Sequence, residues 1–364
     1  MNVWGEKIKL TIFGESHGKG IGIVIDGLPS GFELNLDRVA EQMKRRAPGR
    51  NKLSTSRAEA DEFQILSGFF NGKTTGTPLT AVIFNTDMRS KDYNPELLRP
   101  SHADFTALCK YGESRDYRGG GHFSGRITAP LVFAGAVAEQ ILEEKGIYTS
   151  AHIMQVGSVC DKPFDMVNTH KELLKELSKM DFPVIDGECA EKMKEEIDKY
   201  RCDKNSVGGR VEVCICGVEA GIGSPFFGSV ESRLASMMFS IPAVKGIEFG
   251  LGFGFADKTG SAANDRMYAE QGLVKCYTNN NGGILGGITN GMPILFRTVI
   301  KPTPTISVEQ KTVDISDMSN TVLAARGRHD PCIVHRAAVV IESVTALVIA
   351  DILSSKYGTD WLAK

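Results

Sequence analysis

Apolar and polar positions divide this chain into segments of two different periods. Residues 9–25 read as strand, loop, strand, with the loop Phe13-Gly14-Glu15-Ser16-His17-Gly18-Lys19-Gly20 between them. Residues 37–46 read as a helix: Asn35 and Asp37 offer a start, Val39, Ala40 and Met43 line one face, and Pro48-Gly49 ends it. A polar stretch over 49–61 precedes a strand over 64–70 and a short one over 82–85. Residues 128–145 form a convincing helix, with Pro130 in its first turn and Gly146 beyond its end. Charged amphipathic helices are expected over 170–180 and 190–200, and a strand over 211–218. A helix over 230–239 leads into a strand over 241–249; 261–283 reads as a polar loop, 294–300 as a strand, and 337–353 as a long, mostly apolar helix.

Residues 87–124 lack regular apolar periodicity. Structureless stretches of that length inside a domain are usually functional or disordered. This one carries Tyr93, Leu97, Leu98, Phe105, Leu108, Tyr111 and Tyr117, too many large apolar groups for a disordered segment, so it reads as ordered. Strands and helices are interspersed without a strict βαβ rhythm, and neither a repeat nor a linker divides the chain.

Composition narrows the class. With 364 residues, 42% hydrophobic and 24% charged, the chain suits a soluble globular protein with a real core. A net charge of −2 provides no basic field, so nucleic acid is not an expected partner, whereas local cation clusters still permit a small anion. The first ten residues have no signal-peptide core and no run of about 18 apolar residues occurs, so no membrane span is expected. The eight cysteines include no C-x-x-C pair, which predicts reduced thiols in a cytoplasmic protein and no metal site; Cys214 and Cys216 should share one strand face.

Glycines cluster at Gly119-Gly120-Gly121, at Gly250, Gly252 and Gly254, and at Gly282-Gly283-Ile284-Leu285-Gly286-Gly287, yet neither a dinucleotide-binding fingerprint nor a P-loop is present. Of the histidines, His152 and His170 read as structural; His17, His102, His122, His329 and His335 lie in or beside loops rich in glycine and arginine. Cations gather at Lys44, Arg45, Arg46, Arg50, Lys52 and Arg57, at Arg115, Arg118 and Arg126, and at Arg326, Arg328 and Arg336. Taken alone, the first run reads as a solvated face. Together the clusters imply converging loops that bind a small, multiply anionic ligand, with histidines able to move protons near neutral pH. The residues by themselves name no reaction.

The same segments resemble the chorismate synthases. Phe13-Gly14-Glu15-Ser16-His17-Gly18 is similar to that family's N-terminal motif, Arg99-Pro100-Ser101-His102-Ala103-Asp104 to its R-P-G-H-A-D, Asp116-Tyr117-Arg118-Gly119-Gly120-Gly121 to its D-Y-R-G-G-G, and Arg328-His329-Asp330-Pro331-Cys332 to its R-H-D-P-C. Ala243-Val244-Lys245-Gly246, the glycine run at 282–287 and Lys301-Pro302-Thr303 follow in the family's order. The resemblance implies an α+β fold, one large β-α-β sandwich domain spanning 1–364, and a homotetramer. It implies a lyase that performs a 1,4-anti-elimination of phosphate from 5-enolpyruvylshikimate 3-phosphate, dependent on reduced FMN with no net redox change. His17 then resembles the general acid near the departing phosphate, His102 the histidine that protonates or stabilises reduced flavin, and Asp330 the aspartate that helps manage the flavin proton. Arg46, Lys52, Arg99 and Arg126 match substrate positions. His122, Phe123, Ser124, Pro242, Ala243, Gly286, Lys301, Thr303, Thr305 and Arg328 match flavin-contacting segments, Arg328 also among those that hold phosphate.

The chain departs from the family where His122 replaces an arginine, Ser101 a glycine, and Asn280 a frequent histidine. These changes bear on cofactor affinity and pH optimum; His122 would be a weaker, pH-dependent cation over flavin or substrate. Some family members oxidise NADPH to reduce their own flavin. Without a dinucleotide fingerprint, an external flavin reductase is the expected source here. A flavin oxidoreductase and a catalytically silent anion-binding homologue are the alternative classes.

Overall fold

Asn35 starts the first helix by accepting the Arg38 amide on its side chain (3.1 Å), as the sequence predicts. The computed structural model describes residues 2–49, 59–88, 93–325 and 330–363. In chain order it contains β1 (Val3–Trp4), β2 (Lys9–Gly14), β3 (Gly20–Asp26), β4 (Ser30–Glu33), α1 (Leu36–Arg46), β5 (Phe63–Ser67), β6 (Phe69–Phe70), β7 (Lys73–Thr75) and β8 (Leu79–Phe84). Then come α2 (Asp104–Tyr111), two 3₁₀ turns (Arg118–Phe123, Gly125–Thr128), α3 (Ala129–Glu144), β9 (Tyr148–Val156), β10 (Val159–Cys160), α4 (Lys171–Leu177), α5 (Gly187–Cys202) and β11 (Gly209–Cys216). The last third holds α6 (Val230–Met238), β12 (Val244–Phe249), α7 (Gly260–Ala263), β13 (Met267–Glu270), β14 (Leu273–Cys276), β15 (Ile284–Leu285), β16 (Ile288–Thr289), β17 (Ile294–Ile300), β18 (Gln310–Asp314), β19 (Ser319–Leu323) and α8 (Val334–Tyr357).

Two five-stranded antiparallel sheets, ordered β1-β2-β3-β8-β5 and β10-β9-β11-β17-β12, enclose a helical layer. Helix α3 packs on β3 and β8, α8 packs on β9 and β11, and the two helices pack on each other. This is an α+β fold with a sheet-helix-sheet section. Both central helices are apolar almost all round, which demands burial on every side. Indeed 129–142 are buried throughout, and α8, long and apolar enough by length and composition to cross a membrane, has 94% of its most apolar window buried. One hydrophobic core runs continuously through both sheets and the helices between them.

Several expectations change in detail. The strand expected over 64–70 breaks at Gly68, and the one over 241–249 begins only at Val244 because Ala243 turns with φ +74°. The polar loop over 261–283 contains the β13-β14 hairpin. Reading the 44–57 run as a solvated face is corrected for Arg45 and Arg46, which are buried: α1 packs on α3 and α8, and Arg45 meets Glu342 of α8 at 3.0 Å. His152 is a satisfied core histidine between Asp161 and Glu212, and Cys214 and Cys216 share a face with their sulfurs 3.6 Å apart.

Candidate active site

The loop between β2 and β3 is held from two directions. Asn85, at the end of β8, donates to Glu15 O (3.0 Å) and Gly18 O (2.9 Å) and accepts from Arg126 Nε (3.1 Å). Ser16 donates its amide to Gly121 O (3.1 Å) and its hydroxyl to Gly119 O (3.2 Å). The loop bearing His17 is thereby tied to the triple glycine.

The glycines are a steric requirement as well as a turn. Gly119 and Gly120 have φ +62° and +86°. A β-carbon at 119 would stand 2.5 Å from His17 Nε2, and one at 120 would stand 3.3 Å from His102 Nε2. Two imidazole edges therefore face consecutive peptides, the first too close for any side chain and the second tight for one. His17 is buried with its ring edge-on to Tyr93 (5.4 Å between centroids), and Arg99 lies over the same Tyr93. His102 Nδ1 lies 2.7 Å from Asp104, whose carboxylate Arg99 grips with two nitrogens. Burial would raise the Asp104 carboxyl, but its bonds to Arg99 and His102 outweigh this and hold it well below the usual carboxylate range. A pocket beside His102 is lined by Asp104, Arg115, Asp116, Tyr117, Gly120 and Phe123.

A second cluster adjoins the first along the chain at 124–128. Arg46 donates to Asp61 (2.5 Å), Thr128 Oγ1 (3.3 Å) and Gly125 O (2.9 Å), and Arg126 also pairs with Asp61 and with Glu59. Burial lowers Arg46 to about 10, which leaves it cationic at neutral pH. Arg336 donates to Arg46 O (2.9 Å) and to Asp330 (2.9 Å), bringing Asp330 to this cluster.

A third cluster centres on Lys301. Its amide donates to Ala243 O (2.9 Å) and its ammonium to Ser101 O (2.7 Å), so one residue bridges two non-glycine residues of positive φ. Such outliers persist only where surroundings enforce them. Burial and the nearby Lys245 cation both lower the Lys301 pKa, so an anion here would relieve a repulsion. The Thr303 hydroxyl is buried and has no hydrogen-bond partner among the described residues, Thr305 is buried, and Pro242 is exposed. An orphaned donor two residues from a lysine whose ammonium is repelled by another fits a phosphate-bearing cofactor.

The remaining expected residues of 122–124 lie at the edge of the first two clusters. Ser124 caps the turn at 125–128, Phe123 is exposed beside Tyr111, and His122 engages Gly14 O (2.8 Å) and Asn2 (3.2 Å) through its two ring nitrogens. Gly286 belongs to a separate hairpin. It lies at the β15-β16 turn with φ +59°, where a β-carbon would meet nothing within 4 Å. Lys52 and Arg328 lie outside the described residues. Sequence reasoning missed Asn85, Asp61 and Glu59, whose partners are remote in the chain. It passed over Asp104, which stands two residues from His102 within the same motif.

Residues 8–353 match the family model described as chorismate synthase. Proteins named chorismate synthase from Pyrococcus abyssi and Thermococcus gammatolerans are 47% and 46% identical to this chain, each alignment covering 95% of it and 96% of the relative. One from Methanosarcina mazei is 43% identical over 96% of this chain and 95% of its own length. A crystal structure of chorismate synthase aligns with a TM-score of 0.77 at 30% identity, covering 98% of this chain and 94% of that one.

Proposed function

This chain belongs to the chorismate synthase family, and we propose on that premise that it eliminates phosphate from 5-enolpyruvylshikimate 3-phosphate to give chorismate. In this reading it is a cytoplasmic carbon-oxygen lyase of the shikimate pathway, a homotetramer, and dependent on reduced FMN delivered by an external reductase. The observation that carries the proposal is the seating of His17 and His102 on consecutive glycine peptides, with guanidinium and ammonium groups around them.

Reduced FMN would lend electron density to C–O cleavage and recover it, since the C–H that is lost is not acidic. The protein's share is position and protons. Lys301, Thr303 and Thr305 are the residues proposed to hold the cofactor, the orphaned Thr303 hydroxyl finding its partner there. His17 donates a proton toward the departing phosphate from its Nε2 edge. His102 takes up and returns a proton beside the cofactor through its Nε2 edge. Asp330, fixed by Arg336, helps manage the cofactor's proton. Arg46 and Arg126 are held rigid by Asp61, so an incoming anion meets oriented guanidinium groups instead of flexible arms.

The test is anaerobic incubation with substrate and FMN, with and without dithionite, measuring phosphate and chorismate. Equal release of both only with reduced FMN is expected. Replacing His17 with Ala should lower kcat by about 10²–10⁴-fold without abolishing turnover. Substrate binding with no release under either condition would overturn the assignment. Consumption of NADPH by the purified protein would remove the external reductase.

A further inference from the structure

Arg99, Asp104 and His102 form a relay at the start of α2. Asp104 Oδ1 lies 2.7 Å from His102 Nδ1. Arg99 grips the same carboxylate through Nε on Oδ2 (2.7 Å) and Nη2 on Oδ1 (2.7 Å), and its backbone amide adds a third contact at 3.1 Å. A carboxylate held ionised can only accept hydrogen bonds. The proton between Asp104 and His102 therefore sits on Nδ1, and a ring that carries one proton has its lone pair on Nε2. That nitrogen is the one turned toward Gly120.

The other charged groups around the ring bond elsewhere, apart from the Arg115 Nε, which is buried with no hydrogen-bond partner among the described residues. Asp116, across the pocket, is engaged by Arg118 through Nε and Nη2 at 2.8 Å each. Arg115 donates to Gly112 O and Pro95 O. Lys301, with Lys245 nearby, binds Ser101 O, and His17 faces the neighbouring glycine. Among the described residues, Asp104 is the carboxylate in hydrogen-bond contact with His102.

We propose that Asp104 is a positioning residue that locks His102 in the tautomer with Nε2 open to the site, and that Arg99 acts as the clamp on Asp104. The inference rests on the proposed reaction for its catalytic meaning, but not for its geometry. Arg99 holds the carboxylate with Nε and Nη2 together, which fixes the plane of Asp104 against the imidazole and leaves the guanidinium's other N–H groups out of this pair. It also gives a reason for an aspartate two residues beyond the histidine: the short side chain at the first turn of α2 reaches back to Nδ1, while the arginine five residues earlier reaches forward to it.

The experiment is a titration of the full-length protein carrying ¹⁵N-labelled histidine, followed by NMR with no substrate present. In the parent protein His102 should show a protonated Nδ1 and an unprotonated Nε2 above its midpoint. Asp104→Asn should lower the midpoint by about one pH unit or more and mix the tautomers. Arg99→Gln should move it the other way, because the carboxylate then spends its whole charge on the imidazole. That opposite sign keeps the test decisive even if one variant folds poorly. In turnover, Asp104→Asn should lower kcat by about 10²-fold with KM little changed, and the acid limb of its pH profile should follow the NMR midpoint; Asp104→Glu should restore part of both. An unchanged tautomer and midpoint in Asp104→Asn would sink the proposal, as would an Arg99→Gln protein whose KM rises while its His102 titration stays put. A parent protein without turnover would overturn the proposed reaction, and the titration would still decide the relay.

Discussion

Ser101 sits at φ +57°, where a β-carbon crowds the backbone, and the ammonium of Lys301 holds its carbonyl there. The left-handed conformation costs a side-chain-bearing residue about 1–2 kcal/mol, and glycine's greater unfolded-state entropy returns about 0.5–1 kcal/mol of that. Ser101→Gly should therefore stabilise the protein by up to about 1 kcal/mol, seen as a higher urea midpoint; a lower one would mean that the serine hydroxyl contributes more than the strain. His335 presents a different residue-scale case. It is buried, stacked on Phe182, and its Nδ1 has no partner among the described residues. Burial, with Arg336 adding to it, lowers its pKa from 6.5 to about 4. Above 6.5 the ring is neutral whether folded or not. As pH falls from 6.5 to about 4 the unfolded chain takes up a proton that the folded one refuses, so stability drops through that window, by at most about 3 kcal/mol, and levels off below it. Unfolding free energies at pH 4.5 and 7 should differ less in His335→Gln than in the parent, and an equal difference would show that other groups carry the acid sensitivity.

At the scale of elements, α3 and α8 cross at a tight joint. A β-carbon at Gly135 would lie 2.1 Å from the Ser343 β-carbon, so the two helices approach at a point where no larger residue fits. In an exposed helix, Gly to Ala is stabilising by about 1 kcal/mol. Gly135→Ala should invert that sign and cost about 1–3 kcal/mol through overpacking, measured as a fall in Tm; a rise would show that the helices can part without penalty. The far end of α8 is pinned differently. Asp351 accepts the amides of Lys7 (2.7 Å) and Ile8 (2.8 Å) and one of Glu6, and pairs with Arg233, so it ties the N-terminal strands to the helical layer. Helix existence was readable because periodicity is local: the helix expected over 128–145 appears as α3 at 129–144, and the strand over 294–300 is β17 unchanged. The β18-β19 hairpin escaped notice, since its two strands are mostly half-exposed and carry no clear alternation.

For the whole molecule, the proposed homotetramer has a structural motive in aromatic side chains that the single chain leaves in water. Phe226, Phe227 and Phe253 are 84%, 97% and 84% exposed. Phenyl groups so placed are usually covered by a partner. Substituting both Phe226 and Phe227 with Ser should shift the mass in light scattering from the assembled species toward smaller ones with the far-ultraviolet spectrum unchanged, and a parent protein that is already monomeric would remove the basis for that assembly. Much of the candidate site was legible because its motifs are contiguous: 13–18, 99–104 and 116–121 each place a proton carrier, a cation or a glycine within a few residues of one another. By itself, then, the sequence determined which residues bear charge, which can move protons near neutral pH, and where the backbone must be free of side chains, since these are properties of single residues and short spacings. Only the tertiary structure decided which of them meet. Asp61 finds Arg126 across 65 residues and Lys301 finds Ser101 across 200, and Arg45 and Arg46 turn inward to carboxylates no spacing could indicate. Those encounters follow from sheet register and from how two buried helices cross, and both are set by the packing of the entire core.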